Sequence, residues 1–289
     1  MSNPTVILDF DRSVGAIPDA VRIPLREWQE TIRYGCSLRQ LKALGRTLDA
    51  NFPTRHGTVL FGSGDYHHLS YLLLSRLAGR GPFQLVVFDN HPDNMRFPFG
   101  IHCGSWVYWA SRLPFVSHVH VVGITSSDVS GAHWWENHLR ALSARRLTYW
   151  CMDVDTRWAR RLGMATSFQV AANPDELLER FAARMRQKPE PTYISIDKDV
   201  LSAEVVQTNW DQGRLLGKHL HDGLGLFAGR LVGSDINGEV SAYQYRTWWK
   251  RRLSAADGQA PEPESTIAAW QPAQTALDLR LLERFQSLA

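Results

Sequence analysis

The sequence predicts an α/β fold: a mostly parallel central sheet with helices on both of its faces. Three observations carry this. Short apolar runs recur along the chain with gaps long enough for a helix between them. Several of these runs, such as "QLVVFD" from Gln84, are apolar almost throughout, as strands covered on both faces are. The stretches between them have the length and pattern of helices, and one carries a clear helix start.

Taken in order, "TVILDF" from Thr5 reads as the first strand and "SLRQLKALGRTLDA" from Ser37 as the first helix. "TVLFG" from Thr58 is a strand, "HHLSYLLLSRLAG" from His67 a helix, and "QLVVFD" the next strand. "HVHVVGI" from His118 and "LTYWCMD" from Leu147 are strands flanking a helix in "GAHWWENHLRALSAR" from Gly131. "NPDELLERFAARMRQ" from Asn173 opens with Pro174 and an acidic first turn, the signature of a helix start. "TYISID" from Thr192 and "RLVGSDI" from Arg230 complete the strands. The small, polar, Pro-bearing stretch 254–266 is expected to loop away from the body, and 273–287 to return as a closing amphipathic helix. No internal repeat is visible, and one domain over 1–289 is expected.

Composition narrows the function. With 44% hydrophobic and 21% charged residues, the chain has enough apolar material for a sizeable core. A net charge of +3 with scattered basic residues leaves little electrostatic footprint for nucleic acid. No apolar run approaches the ~20 residues of a membrane span, and the N-terminus lacks a basic region followed by an apolar stretch. Three dispersed cysteines form neither a disulfide framework nor a cysteine zinc site, which favours a reducing compartment; a cytoplasmic protein is expected.

The chemistry gathers at strand ends. In a parallel sheet the carboxyl ends share one edge, where ligands bind in open α/β folds. "FGSGDYHHLS", "FDNHPDNM", "SIDKDVLS" and "GSDINGE" each follow a predicted strand. Alternation along extended backbone would let Asp89, His91 and Asp93 converge, and likewise Asp197 and Asp199, with Lys198 turned away. Four carboxylates in one cleft repel unless a cation neutralises them. Carboxylate oxygen with one or two imidazoles suits manganese, iron or zinc, and shared carboxylates can hold two ions about 3.5–4 Å apart. His67 or His68 would complete the coordination; Asp65 by itself reads as a turn former or cap.

These segments resemble, in order and interval, the "GGDHS", "DAHxD" and "SxDxDxxDP" segments of the arginase/agmatinase family, the ureohydrolases; "GSGDYHHLS", "DNHPD" and "SIDKDVLS" are the counterparts, and the resemblance spans roughly 58–240. It implies a three-layer α/β/α fold and two manganese ions per chain, held by Asp89, His91, Asp93, Asp197, Asp199 and one of His67 and His68. "GIHCGSW" resembles the family's "HG" segment and makes His102 a candidate proton shuttle, while Asp93 would orient the nucleophile. "GSDINGE" resembles the late "EVN" segment, which would place Asp235, or the nearby Glu239, at the substrate's cationic group.

The activity so implied is hydrolysis of a linear C–N bond in a guanidino or amidino compound, by a hydroxide shared between two ions, in an enzyme that is commonly a homo-oligomer. The sequence departs from the family at several points. "SIDKDVLS" lacks the terminal "DP", Tyr66 lengthens the histidine loop, Thr125 stands where the family's "IGIRD" has arginine, and a different N-terminal stretch covers the site or forms an interface. Two other readings stand beside this one. "YHH" at 66–68 is faintly similar to the tandem histidines of single-metal amide deacetylases, and the departures suit a non-catalytic descendant kept for binding. The eleven tryptophans read mainly as packing surface, with Trp106, Trp109 and Trp210 nearest the motifs.

Overall fold

Nine strands form one sheet in a computed structural model that describes residues 3–259 and 262–288. They are β1 (Val6–Asp9), β2 (Val21–Pro24), β3 (Val59–Leu60), β4 (Phe83–Phe88), β5 (Val116–Ile124), β6 (Leu147–Met152), β7 (Phe168–Ala171), β8 (Thr192–Asp197) and β9 (Leu231–Asn237). Their spatial order is β2-β1-β3-β9-β8-β4-β5-β6-β7, and every neighbouring pair is parallel. The longer helices are α1 (Leu38–Asn51), α2 (Leu69–Ser75), α3 (Pro174–Gln187), α4 (Gly217–Gly225), α5 (Trp248–Ala256) and α6 (Glu264–Leu288). No helix among the described residues is long and apolar enough to cross a membrane.

The sheet separates two cores because strand side chains alternate. Leu85 and Val87 of β4 face one core with α1, α2 and the short helix Trp106–Ala110; Val86 and Phe88 face the other with α3, α4 and α6. All six residues of β4 and of β8 are buried, which is why both read as continuous apolar runs. This is the expected three-layer α/β/α arrangement. Helix starts follow their local chemistry: Ser37 and Gln40 form a reciprocal capping box on α1, and the Asn173 side chain accepts from the Glu176 N–H at α3.

Several boundaries differ from expectation. The two unforeseen strands, β2 and β7, are the sheet's edges. "VRIP" is mostly exposed and "FQVA" half-exposed, so neither has the apolar run that marks a strand covered on both sides. The stretch expected to loop over 254–266 is shorter, since α5 runs to Ala256 and α6 begins at Glu264, directly after Pro263. Thus α6 starts nine residues before 273 and carries Pro272 inside it, held to the sheet by buried Leu277, Leu281, Leu282 and Phe285. The helix expected around 131–145 breaks into a turn at Trp134–Glu136 and a short helix at Leu139–Ser143, because Asn137 is drawn away to donate to the Asp128 carbonyl.

The topology has one consequence for function. The four strands that carry the polar motifs, β3, β9, β8 and β4, are consecutive in the middle of the sheet. Their carboxyl ends therefore deliver residues separated by up to about 170 positions to a single spot.

Candidate metal centre

A cavity of about 370 Å³ opens at that edge, lined by His67, Asp89, His91, Asp93, Asp197 and Asp199 at its base. Two ligand-like triads meet there: His67, Asp89 and Asp93 form one, and Asp89, His91 and Asp199 form the other. Asp89 belongs to both. His67 Nδ1 lies 2.9 Å from Asp93 Oδ2, 3.2 Å from Asp89 Oδ2 and 3.5 Å from Asp197 Oδ2. His91 Nδ1 lies 3.0 Å from Asp199 Oδ2 and 3.6 Å from Asp89 Oδ1.

The convergence comes from turns, not from the alternation expected of extended backbone. After β4, the Asp89 carboxylate accepts from the His91 N–H, and Asp93 adopts the left-handed region at φ 46°. After β8, residues Lys198–Val200 make a helical turn capped by Asp197, whose carboxylate accepts from the Asp199 N–H. The same turn sends Lys198 away from the cavity, into a fully buried cluster with Glu239 (2.8 Å) and Asp278 (2.6 Å). Gly238 lets β9 pass this turn: its φ is +102°, and a Cβ there would stand 2.6 Å from Asp197 Oδ1.

Buried carboxylates so close together perturb one another. Burial, then the charge of Asp89, pushes Asp93 up to about 7 and Asp199 up to about 6; burial and Asp199 raise Asp197 well above the carboxylate range. Burial also works to raise Asp89, but hydrogen bonds and charge from His67 and His91 outweigh it and hold it below that range. For both imidazoles burial opposes a charge, and the surrounding carboxylates overcome it and raise them well above 6.5. Asp89 Oδ2 remains a buried oxygen out of line with any donor. A site that gathers four acids and, without a cation, must offset them by protonating its histidines or its own carboxyls fits divalent cations.

His67 stands in this cluster; His68 does not. His68 is fully buried with Nε2 4.0 Å from Cys36 Sγ, because consecutive residues at the start of α2 face different directions, and burial drives its pKa well down. Asp235 and Glu239 do not line the cavity either. Asp235 pairs in register with Ser195, two residues short of the strand end, so it sits beneath the cluster, accepting from Ser195, Ser70 and Tyr193. Glu239 follows the Gly238 turn and is spent on Lys198.

His102 does line the cavity. Burial lowers it to about 3, and its Nδ1 accepts from the Gly104 N–H, so the ring is neutral with its hydrogen on Nε2. In that state Nε2 is free to donate a hydrogen bond, while burial works against the near-neutral titration expected of a shuttle. Thr125, in the position of the family's arginine, donates to Asn90 and orients that loop.

No known family profile matches the chain. An uncharacterized protein from Thermotoga maritima is 28% identical over 203 residues, which make up 70% of this chain and 65% of that protein, short of two thirds of its length. Among solved structures, proclavaminate amidino hydrolase from Streptomyces clavuligerus matches with a TM-score of 0.54 at 15% identity, covering 100% of this chain and 93% of that one. Formimidoylglutamase from Bacillus subtilis gives 0.53 at 12%, covering 98% and 86%. Formiminoglutamase from Trypanosoma cruzi with Mn2+ gives 0.50 at 10%, covering 96% and 93%. The chain has the ureohydrolase fold. At these identities the likeness concerns the fold, and the chemistry has to be argued from the side chains.

Within this fold several residues besides the candidate ligands hold the cluster. Trp106 Nε1 donates to Asp93 Oδ2 at 2.6 Å, and the ring packs on His67 with centroids 4.8 Å apart. Asp211 Oδ1 lies 2.6 Å from His91 Nε2, and Trp210 stands edge-on to the same ring. Ser195 Oγ lies 2.9 Å from His67 Nε2. Asp65 is a hub: its carboxylate pairs with fully buried Arg33 at 2.7 Å and accepts from Trp210, Tyr245 and Gln259. Arg33 thus ties the N-terminal stretch to the loop that follows β3. Trp106, Ser195 and Asp65 lie within the motif segments; Trp210 and Asp211 sit side by side in "NWDQG", outside them, and only the tryptophan of that pair was expected near the site.

Proposed function

We propose that this protein is a dinuclear-metal hydrolase that cleaves a linear C–N bond of a guanidino or amidino compound, with two Mn2+ per chain. The observation that carries the reading is Asp89, placed between two triads that each supply one imidazole and two carboxylates. One ion would be held by His67, Asp89, Asp93 and Asp197, the other by Asp89, His91 and Asp199. Such a pair of ions supplies a nucleophilic hydroxide near neutral pH.

The chain's own residues do the rest. Asp93, fixed by the Trp106 indole, accepts a hydrogen bond from the attacking water and orients it. The neutral His102 donates from Nε2 toward the substrate or the departing amine. The carboxylate role expected of Asp235 or Glu239 passes to Asp128, Glu136 and Asp257, which line the outer cavity; no lysine or arginine is among the lining residues, which suits a cationic substrate. The single-metal deacetylase reading loses its support, since it leaned on tandem histidines and His68 points into the core.

The test is metal analysis of purified protein with a urea- and ammonia-release screen over arginine, agmatine, guanidinobutyrate, guanidinopropionate and formiminoglutamate. Close to two manganese per chain and turnover of one of these compounds is the expected result. Metal without turnover on any of them would leave a binding protein, and no metal would remove the proposal.

A further inference from the structure

A second cavity lies at the opposite edge of the sheet and has a different chemistry. It is lined at the amino-terminal ends of the strands, by Asn3 before β1, by 52–56 before β3, by Tyr193 at the start of β8 and by Val232 and Gly233 at the start of β9. Its volume is about 710 Å³, larger than the candidate metal cavity. The sheet is irregular at this point: Thr192 pairs with Leu231 and Tyr193 with Gly233, so Val232 is an extra residue that bulges in the floor. Bulges of this kind re-aim backbone and side chains beside binding sites.

The charge is one-sided. Arg55, Arg76 and Arg80 line this cavity against a single carboxylate, Asp49. Asp49 is matched by Arg76 at 2.6 Å, and the Arg76 guanidinium also lies 5.0 Å over the Phe52 ring, which fixes it against one wall. Arg55 and Arg80 form no ion pair among the described residues. Phe52 and Tyr193 supply flat apolar surface beside these cations. All three cations are arginines, whose planar forks match phosphate oxygens two at a time where lysine would present only a point charge.

We propose that this cavity is a binding site for a phosphate-bearing small molecule, with the phosphates on Arg55, Arg76 and Arg80 and any ring or chain on the apolar wall by Phe52. It is separate from the His–Asp cluster, which occupies the carboxyl edge, and it stands whether or not the hydrolase reading does. Burial lowers the pKa of His56 in the same wall, with smaller contributions in that direction from the charges of Arg76 and Arg80 and an opposing one from its hydrogen bond to Gly57.

The experiment is titration calorimetry of the purified protein, dialysed free of unbound metal, with pyrophosphate, with ADP and with adenosine at moderate salt. Saturable binding of pyrophosphate or ADP, weakened at least tenfold by Arg80→Ala and by Arg55→Ala and kept in larger part by Arg80→Lys, is the result expected. Tighter binding of ADP than of pyrophosphate would assign an organic phosphate, and equal binding an inorganic one; adenosine alone should not bind. Both arginines project from exposed segments, so unliganded thermal unfolding of these variants should match the parent. Absence of saturable binding would overturn the proposal. So would binding that both arginine variants retain and Asp89→Ala abolishes, since that would locate the phosphate at the metal cluster.

Discussion

Ser195 Oγ stands 2.9 Å from Nε2 of His67, and this contact decides which ring nitrogen faces the cluster. Ser195 gives its own hydrogen to Asp235 at 2.6 Å, so toward His67 it can only accept. Nε2 must then carry a hydrogen, which leaves the Nδ1 lone pair directed at Asp89 and Asp93 once the ring is neutral. Asp235, also holding Ser70 and Tyr193, is the anchor of this arrangement. Asp235→Asn is expected to weaken manganese binding about 10–100-fold while the fold persists. Calorimetric metal titration of a variant with unchanged circular dichroism checks this; an unaltered affinity would mean that the serine does not set the tautomer.

Asp89 and Asp93 should separate the two proposed ions. Asp89 sits in both triads and Asp93 in one. Asp89→Ala is therefore expected to lose most of both ions, and Asp93→Ala to keep close to one. Stripping metal from the parent with a chelator should lower its melting temperature, because an ion at 1,000 times its dissociation constant contributes about 4 kcal/mol by linkage. Equal metal content in the two variants would break the shared-ligand assignment.

The Trp106 indole isolates a catalytic effect from a binding one. Its N–H meets Asp93 Oδ2, the oxygen that also lies 2.9 Å from His67 Nδ1, and Trp106→Phe removes that donor while keeping an aromatic ring in the buried position. A hydrogen bond to a charged group is worth about 1.5–3 kcal/mol. The expected outcome is a fall in kcat of at least tenfold on whichever substrate is turned over, with metal content intact. Loss of metal in parallel would show that the indole supports the ligand set as a whole.

How much of this was legible in the sequence follows from what each feature depends on. β4 and β8 are buried on both faces and so announce themselves as apolar runs; β2 and β7 sit at the edges, where one side faces solvent and the pattern weakens. The polar segments of the candidate site were legible because they lie at the carboxyl ends of such runs. Their convergence was anticipated on the wrong grounds, since turns capped by Asp89 and Asp197 produce it. Depth was not legible: Asp235 and Asn237 share a strand and a motif, yet only register with Ser195 shows that Asp235 lies below the cavity. Nor could sequence bring in Asp211, which sits on an irregular loop with no periodicity to place it.

Lys198 ties the turn after β8 to the C-terminal helix. Its ammonium is fully buried, 2.8 Å from Glu239 and 2.6 Å from Asp278 of α6, and accepted also by Gln274. Burial pushes Glu239 up to about 8, although Lys198 works to lower it. Lys198→Met would strand two buried carboxyl groups, at a cost of about 3–5 kcal/mol. Urea unfolding of the metal-free protein, where no ion contributes, measures it; a loss below 1 kcal/mol would mean the cluster relaxes by taking up protons.

Two histidines far from the metal cluster should govern stability in mild acid. His120 is buried in the sheet with Nδ1 accepting from the Trp150 indole, and burial, then His118 and Arg184, pulls its pKa well down. Burial, then Arg184 and Lys188, lowers His118 to about 4. An unfolded chain takes up these protons near pH 6.5. Below that value the unfolded state binds more protons than the folded one, so stability falls as pH falls; the contribution is complete above about 6.5 and declines toward pH 4. Each histidine adds at most about 1.4 kcal/mol per pH unit to this slope. Urea unfolding of the metal-free parent and of His118→Gln/His120→Asn, which keeps a polar acceptor at each position, should show the shallower dependence between pH 6.5 and 4.5 in the variant. Parallel curves would mean that other groups carry the acid sensitivity.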